Sequence, residues 1–334
     1  MSRRNPTRDD VAALAQTSSA VVSYVINNGP RNVSPERRER VLHAMAALNY
    51  FPNAHARSLA ATETRTLGMI VPNISNAYFA EFALAVEDAA IARDRLMFLG
   101  NSNEDAEREQ AYISSFLEQH VEGIIFIGVA LQSSIGRIIQ SGMSVVVVDR
   151  AIEGSDTTTI SIDHRQAARS ATRHLLEHGC RHIACLTGPA DQAVAGDRRQ
   201  GWADALIEAG IDPGRQMLFR SSFSIRGGIS AFEQMTADGR EHPTAIFTAS
   251  DEQARGVIVA AARRGLVIPR DLAIVSVDGT RESEFSNPAL TTVQQPYRRL
   301  AAAAVESVLA PKGTPPRHIE MEATLVVRQS CGCE

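Results

Sequence analysis

Lysine is almost missing from this chain: of its 34 basic residues only Lys312, in a Pro/Gly loop, is not arginine. That absence removes the GK[ST] phosphate loop and leaves Schiff-base chemistry a single loop residue. GxSxG and HExxH are absent as well, so the common serine-hydrolase and zinc-protease signatures do not apply. No stretch reaches the roughly 18 consecutive apolar residues of a membrane span, and no membrane partner is expected. The four cysteines, Cys180, Cys185, Cys331 and Cys333, form neither zinc-type CxxC pairs nor a disulfide framework, which fits a reducing compartment. Cys331-Gly332-Cys333 could bind a metal or be redox-active, but it reads better as a free, inert segment, and neither a metal site nor a cofactor is expected. The polar stretch from Met1 to Asp10 lacks the apolar segment of a secretory signal, so a cytoplasmic location is expected.

A hydrophobic fraction of 44% in 334 residues is enough to build more than one core. The charge is distributed unevenly. Residues 1–62 carry eight arginines against Asp9, Asp10, Glu36 and Glu39, a net +4, while the other 26 basic and 34 acidic residues sum to −8. A basic head on an acidic body points to a polyanionic partner for the head.

Within the head, Thr7 precedes Val11, Leu14 and Ala15 at helical spacing, with Asp9 and Asp10 in the first turn. Ser18 caps a second helix that turns Val22, Val25 and Ile26 to one side and Ser19, Ala20, Ser23 and Tyr24 to the other. Asn27-Asn28-Gly29-Pro30 stops it, and Ser34-Pro35-Glu36 starts a third helix with Val41, Ala44, Met45 and Leu48 as its buried stripe. Three such helices suit a helix-turn-helix, or a three-helix bundle without a nucleic-acid role. Residues 54–61 have helical propensity but fewer than the roughly 12–15 residues an isolated helix needs, and Leu59 is their one large apolar side chain. This segment is expected to order only on docking.

From Thr66 the period changes. The apolar runs Leu67–Val71, Leu96–Leu99, Gly123–Ile127, Val145–Val148, His182–Leu186, Ala245–Phe247 and Leu272–Val277 alternate with helical patterns such as Phe79–Ala92, Glu107–Gln119, Gln166–His178 and Asp251–Arg264. Such alternation predicts an α/β body of two doubly wound parallel sheets. Ligands of such sheets bind beyond the carboxyl ends of the strands. That rule selects Asp149-Arg150, Ser250-Asp251 and Asp278-Gly279, joined by Asn76, Tyr78, Phe79 and Arg198, as a hydroxyl-binding set; taken singly, strand-end acids also serve as helix caps. His164, His174, His178 and His182 lie close in sequence but lack a nucleophile partner or metal spacing. They read as solvated or capping residues, and no enzyme is expected.

The motif Thr7-x-x-Asp10-Val11-Ala12-x-x-Ala15, then Ser18-x-x-x-Val22-Ser23-x-Val25-Ile26-Asn27, Val33-Ser34-x-x-x-Arg38-x-x-Val41, Leu48-Asn49-Tyr50-x-Pro52-Asn53 and Ala56-Arg57-Ser58-Leu59 resembles the DNA-binding head of the lactose repressor (LacI) family. The spacing holds without gaps over about 55 residues. The body resembles that family's effector domain and periplasmic sugar-binding proteins, through Ser75-Asn76-x-Tyr78-Phe79, Val147-Val148-Asp149-Arg150, Arg198-x-x-Gly201-Trp202, Ala249-Ser250-Asp251, Val277-Asp278-Gly279-Thr280 and Leu290-Thr291-Thr292-Val293-x-Gln295-Pro296. The resemblance implies a head over 1–62 with a hinge helix near 54–61, and a periplasmic-binding-protein-like, two-lobed effector and dimerisation body over 63–334, split near 162 and 291. It implies DNA contacts from Thr7, Ser18, Ser19, Ala20, Ser23, Tyr24, Asn27, Asn53, His55, Ala56, Arg57 and Leu59. It implies effector contacts from Asn76, Tyr78, Phe79, Asp149, Arg150, Arg198, Ser250, Asp278 and Gln295, most like the ribose-binding kind. Gln16 stands where the family usually has its turn glycine, Val21 where it has threonine, and Ser250 where sugar-binding relatives often have asparagine.

The expected function is therefore an allosteric repressor of palindromic operator DNA, acting as a homodimer and controlled by a small sugar-like effector. A nucleobase or a phosphoprotein co-repressor on the same scaffold is the alternative. A carrier of the periplasmic type is disfavoured by the head. By resemblance, the two hinges pair on the operator and drive both Leu59 side chains into one base step, whose unstacking costs a few kcal/mol. Leu59→Ala should then weaken specific binding far more than non-specific binding. Amides of residues 54–61 should exchange fast in free protein and slowly on operator; protection without DNA would refute this scheme.

Overall fold

The protein is described from a computed structural model covering residues 6–27, 32–50, 64–128, 131–149, 157–237 and 242–333. The hinge segment 54–61, with His55, Ala56, Arg57 and Leu59, and also Asn53 and Arg150, lie outside the described residues. The chain forms two compact units, Met1–Thr64 and Arg65–Glu334.

In the first unit, helices α1 (Arg8–Leu14), α2 (Ser19–Asn27) and α3 (Pro35–Leu48) enclose Val11, Ala12, Ala15, Val22, Val25, Val41 and Ala44. Thr7 opens α1 with a reciprocal capping box: its hydroxyl accepts from the Asp10 amide, and its own amide donates to the Asp10 carboxylate at 2.7 Å. This satisfies two groups that a helix start otherwise leaves open. Ser18 accepts from the Val21 amide at 3.4 Å in the first turn of α2, and the Ser19 hydroxyl donates to Asp9 at 2.5 Å, tying α2 to α1. Between the two helices Gln16 adopts φ +49°. This is the left-handed region that a helix terminus reserves for glycine, so the side chain at this turn is strained.

The second unit holds two six-stranded sheets. The first comprises β1 (Thr66–Val71), β2 (Leu96–Asn101), β3 (Gly123–Phe126), β4 (Ser144–Val148), β5 (Thr158–Ile162) and β11 (His318–Met321). Its spatial order is β11-β5-β4-β3-β1-β2, parallel throughout. The second comprises β6 (Ile183–Thr187), β7 (Leu218–Arg220), β8 (Ala245–Thr248), β9 (Ala273–Asp278), β10 (Thr291–Gln294) and β12 (Thr324–Val326), in the order β12-β10-β9-β8-β6-β7. Among the described strands, β12 alone departs from the expected parallel sheets, running antiparallel to β10. The chain crosses between sheets after Ile162, after Gln294 and between Met321 and Thr324. The last crossing escapes sequence reading because β11 and β12 are short and lack a continuous apolar run.

Helices α4 (Ala77–Ile91), α5 (Ala106–Glu118), α6 (Leu131–Gln140) and α12 (Tyr297–Val308) cover the first sheet. Helices α7 (His164–Glu177), α8 (Ala193–Glu208), α9 (Ile225–Met235) and α10 (Asp251–Arg263) cover the second. The short helix α11 (Glu282–Phe285) follows β9. Period-two alternation is explicit in β1: Leu67, Met69 and Val71 join one core, and Ile70 joins the other with Ile113 and Phe116 of α5. Each sheet repeats the 2-1-3-4-5 winding, which opens a crevice where strand order reverses, between β1 and β3 and between β6 and β8.

Gln16→Gly should relieve the left-handed strain and stabilise the first unit by about 1 kcal/mol. In a unit this small that corresponds to a rise of about 4–8 °C in its melting transition by calorimetry. An unchanged or lowered midpoint would show that the Gln16 side chain compensates its backbone.

Candidate functional site

The carboxyl ends of β1, β4, β8 and β9 meet around a cavity of about 70 Å³ lined from both lobes, by Asn76, Tyr78, Phe79 and Asp149 of the first and Arg198, Phe223, Ser250 and Asp278 of the second. The sheet topology places these groups there, because parallel strands end on one side and their loops must pass over the crevice.

A chain of polar contacts crosses the cleft. Arg198, only 4% exposed, pairs with Asp278 Oδ1 at 3.2 Å and donates from the same nitrogen to the Ala249 carbonyl. Its Nε and Nη2 lie 3.4 and 3.3 Å from His164 Nδ1. A guanidinium only donates, so Nδ1 accepts and the imidazole proton sits on Nε2, which donates to the Asp149 carbonyl at 3.2 Å. Burial, reinforced by the charge of Arg198, holds His164 well below its usual pKa and so neutral. The Tyr78 hydroxyl donates to Asp149 Oδ1 at 2.6 Å. Two further bonds join the lobes: Asn76 Nδ2 donates to the Phe223 carbonyl at 3.2 Å, and the Arg281 amide donates to Glu81 at 2.6 Å.

Both acidic groups sit on strained backbone, Asp149 at φ +75° and Asp278 at φ +138°. Such conformations cost about 1–3 kcal/mol each for residues other than glycine, and they concentrate at ligand sites. Here the Ile160 carbonyl holds the Asp149 amide at 3.0 Å, while the Asp278 carbonyl accepts from the Gln295 amide at 3.0 Å and from the Tyr297 hydroxyl. Burial pushes the Asp278 carboxyl up to about 7; Arg198 opposes the shift, and the Asp251 and Asp149 charges add to it. Desolvation thus outweighs the ion pair.

Seven of the nine expected effector residues line the cavity. Arg150 lies outside the described residues, and Gln295 stands behind Asp278, donating to its Oδ1 at 3.1 Å. Ser250 also caps α10 by accepting from the Gln253 amide at 3.2 Å. Asp251 turns away to Ser276, Thr280 and Thr292, a structural role. His164 corrects the sequence reading: it is buried within the site, not solvated, because the crossover after β5 delivers it between the lobes. Phe223 and Tyr297 are further additions without a sequence signal, since each reaches the site through a loop or crossover. Of the expected DNA residues, Ser18 and Ala20 are exposed and Ser19, Ser23 and Tyr24 half-buried on α2; Thr7 is taken up by its cap, and the Asn27 side chain is outside the described set.

A helix-turn-helix head followed by a two-lobed binding body with a polar cleft defines a ligand-responsive DNA-binding regulator. Comparison with known proteins agrees. Residues 7–53 match the model of bacterial regulatory proteins of the lacI family, and residues 172–331 match a periplasmic binding protein-like domain. The chain is 36% identical to catabolite control protein A of Priestia megaterium, over 90% of this chain and 91% of that protein. It is 34% identical to the HTH-type transcriptional repressor PurR of Erwinia tasmaniensis, over 97% and 96%. The lac repressor dimer bound to operator and the anti-inducer ONPF superposes with a TM-score of 0.84 at 25% identity, covering 98% of this chain and 99% of that one. The chain belongs to the lacI family, and it is a DNA-binding transcriptional regulator rather than an enzyme. Among the described residues no helix is long and apolar enough to cross a membrane.

A carboxyl with a raised folded-state pKa favours folding at low pH, and its contribution is lost as pH rises from the ordinary carboxylate range through about 7. Asp278→Asn does not titrate. The stability difference between variant and wild type, from denaturant melts of the body, should therefore move in the variant's favour between about pH 4 and 7. A pH-independent difference would show that Asp278 titrates normally.

Proposed function

We propose that this regulator binds palindromic operator DNA as a cytoplasmic homodimer, and that a small sugar-like molecule in the Tyr78–Asp149–Arg198–Asp278 cleft sets its affinity for DNA. The observation that carries the effector reading is the cavity itself. Two carboxylates and a guanidinium accept from and donate to neighbouring hydroxyls, and Tyr78, Phe79 and Phe223 offer apolar faces to a ring. A volume of about 70 Å³ is small for a ligand cleft, which favours a small molecule over an oligosaccharide. The aromatic walls also suit a flat heterocycle, so a nucleobase is the second reading.

For the dimer, Leu84 and Ile91 on α4 and Leu96, Phe98 and Leu99 on the edge strand β2 are exposed on the first lobe. An apolar patch beside an open sheet edge is a face that a symmetric partner would cover. The start of the body is anchored to the same lobe, because the Arg65 amide donates to Glu122 at 2.9 Å and Arg95 pairs with Glu122 at 3.0 Å. An effector that shifts one lobe against the other would thus alter the spacing of the two heads in a dimer without touching DNA. Such coupling requires only different effector affinity for the two lobe arrangements, and either sign, induction or co-repression, satisfies it.

A thermal-shift panel of pentoses, hexoses and nucleobases should give a hit among the sugars, and that compound should change operator affinity. Arg198→Ala should abolish the response, because the cleft loses its guanidinium donor, while ligand-free operator binding by the head stays nearly intact; the unpaired partners cost the body stability, about 1–3 kcal/mol each. A nucleobase hit would select the second reading. A silent panel would leave a phosphoprotein docking on the body as the controlling signal, and an undiminished response in Arg198→Ala would refute the assigned pocket.

A further inference from the structure

The histidines and cysteines that the sequence leaves apart converge at the far end of α7. His174 Nε2 lies 3.2 Å from Cys331 Sγ and 3.7 Å from Cys333 Sγ, and His178 Nε2 lies 3.1 Å from Cys333 Sγ. All four donor atoms fall within 4.8 Å of one another. We propose that His174, His178, Cys331 and Cys333 form a structural metal site that takes one Zn²⁺ per chain and clamps the segment after β12 onto α7.

The donor set is the first argument. Two imidazoles and two thiols make the Cys₂His₂ combination that closes a tetrahedral zinc shell. Geometry is the second. With sulfur at about 2.3 Å and nitrogen at about 2.0–2.1 Å from a tetrahedral ion, each sulfur–nitrogen edge spans roughly 3.6 Å. The three separations of 3.1–3.7 Å bracket that value, so small side-chain adjustments would admit the ion.

The backbone explains why the donors share a focus. His174 and His178 are four residues apart, on one face at the helix end, with ring centroids 4.7 Å apart. Carbonyls at a helix C-terminus favour a nearby cation. A short 3₁₀ turn, Gln329–Cys331, presents the first sulfur, and Gly332 at φ +100° reverses the chain so that Cys333 returns to the same point. A larger residue would resist that conformation. The Thr291 hydroxyl lies 3.1 Å from Cys331 Sγ, within reach to support a thiolate from outside the shell. Cys331 is buried, whereas His178 is exposed and Cys333 partly so, which gives an ion a way in. The clamp would anchor the helix whose first residue, His164, contacts Arg198 in the cleft.

The test uses reduced, metal-stripped full-length protein titrated with Co²⁺ and then Zn²⁺. One Co²⁺ per chain should bind with the intense visible bands of tetrahedral thiolate coordination. Zn²⁺ should displace it and raise the melting temperature of the body. Cys333→Ser and His178→Gln alter the open side of the cluster. Each should keep the wild-type circular dichroism and operator affinity yet weaken Zn²⁺ binding by more than about 100-fold, beyond what loss of an outer-shell support costs. Absence of tetrahedral bands, or wild-type Zn²⁺ affinity in both variants, would overturn the proposal. So would a Cys331–Cys333 disulfide that persists under thiol reductant with no metal bound.

Discussion

A guanidinium buried between two lobes organises this body. An ion removed from water costs several kcal/mol unless its donors are matched, and Arg198 meets acceptors from three separate elements: the Ala249 carbonyl after β8, Asp278 at the end of β9, and His164 at the start of α7. Each must arrive at a fixed place, which constrains the packing of α7 on α8. Gly201 makes that packing possible, since a Cβ there would lie 2.0 Å from the Arg165 carbonyl oxygen. A side chain at position 201 would push the helices apart and separate Arg198 from His164.

The same cluster explains why the cleft suits a regulator. Its groups are not all content with one another: Asp278 is held far from its ordinary ionisation, and both Asp149 and Asp278 keep strained backbone. Under the proposed reading, ligand hydroxyls donating to these carboxyls would offset part of the desolvation cost, and a ligand that binds one lobe arrangement better would shift the balance toward it. Among the described residues, direct bonds that join the lobes at the cleft include Asn76 to Phe223, Arg281 to Glu81 and His164 to the Asp149 carbonyl, each of a strength that a ligand's own contacts can rival.

The sequence by itself determined what depends on near neighbours. The Thr7 capping box, the α2 stripe of Val22 and Val25, the alternation in β1 and the carboxylates just past β4 and at the end of β9 are all written within a few residues, because caps, helical faces and strand faces are set by short-range geometry. The departure at Gln16 from the family's turn glycine was legible by resemblance, and the structure adds the left-handed dihedral angle that strains it. Tertiary structure alone decided what depends on chain crossings. His164 becomes part of the cleft because the chain changes sheets beside it, and Gln295 retreats behind Asp278 because the second crossing runs there. His174 meets Cys331 across 157 residues of sequence. No local pattern encodes such meetings: they follow from which strand ends face each other after both sheets have wound, and side-chain spacing along the chain carries no information about that.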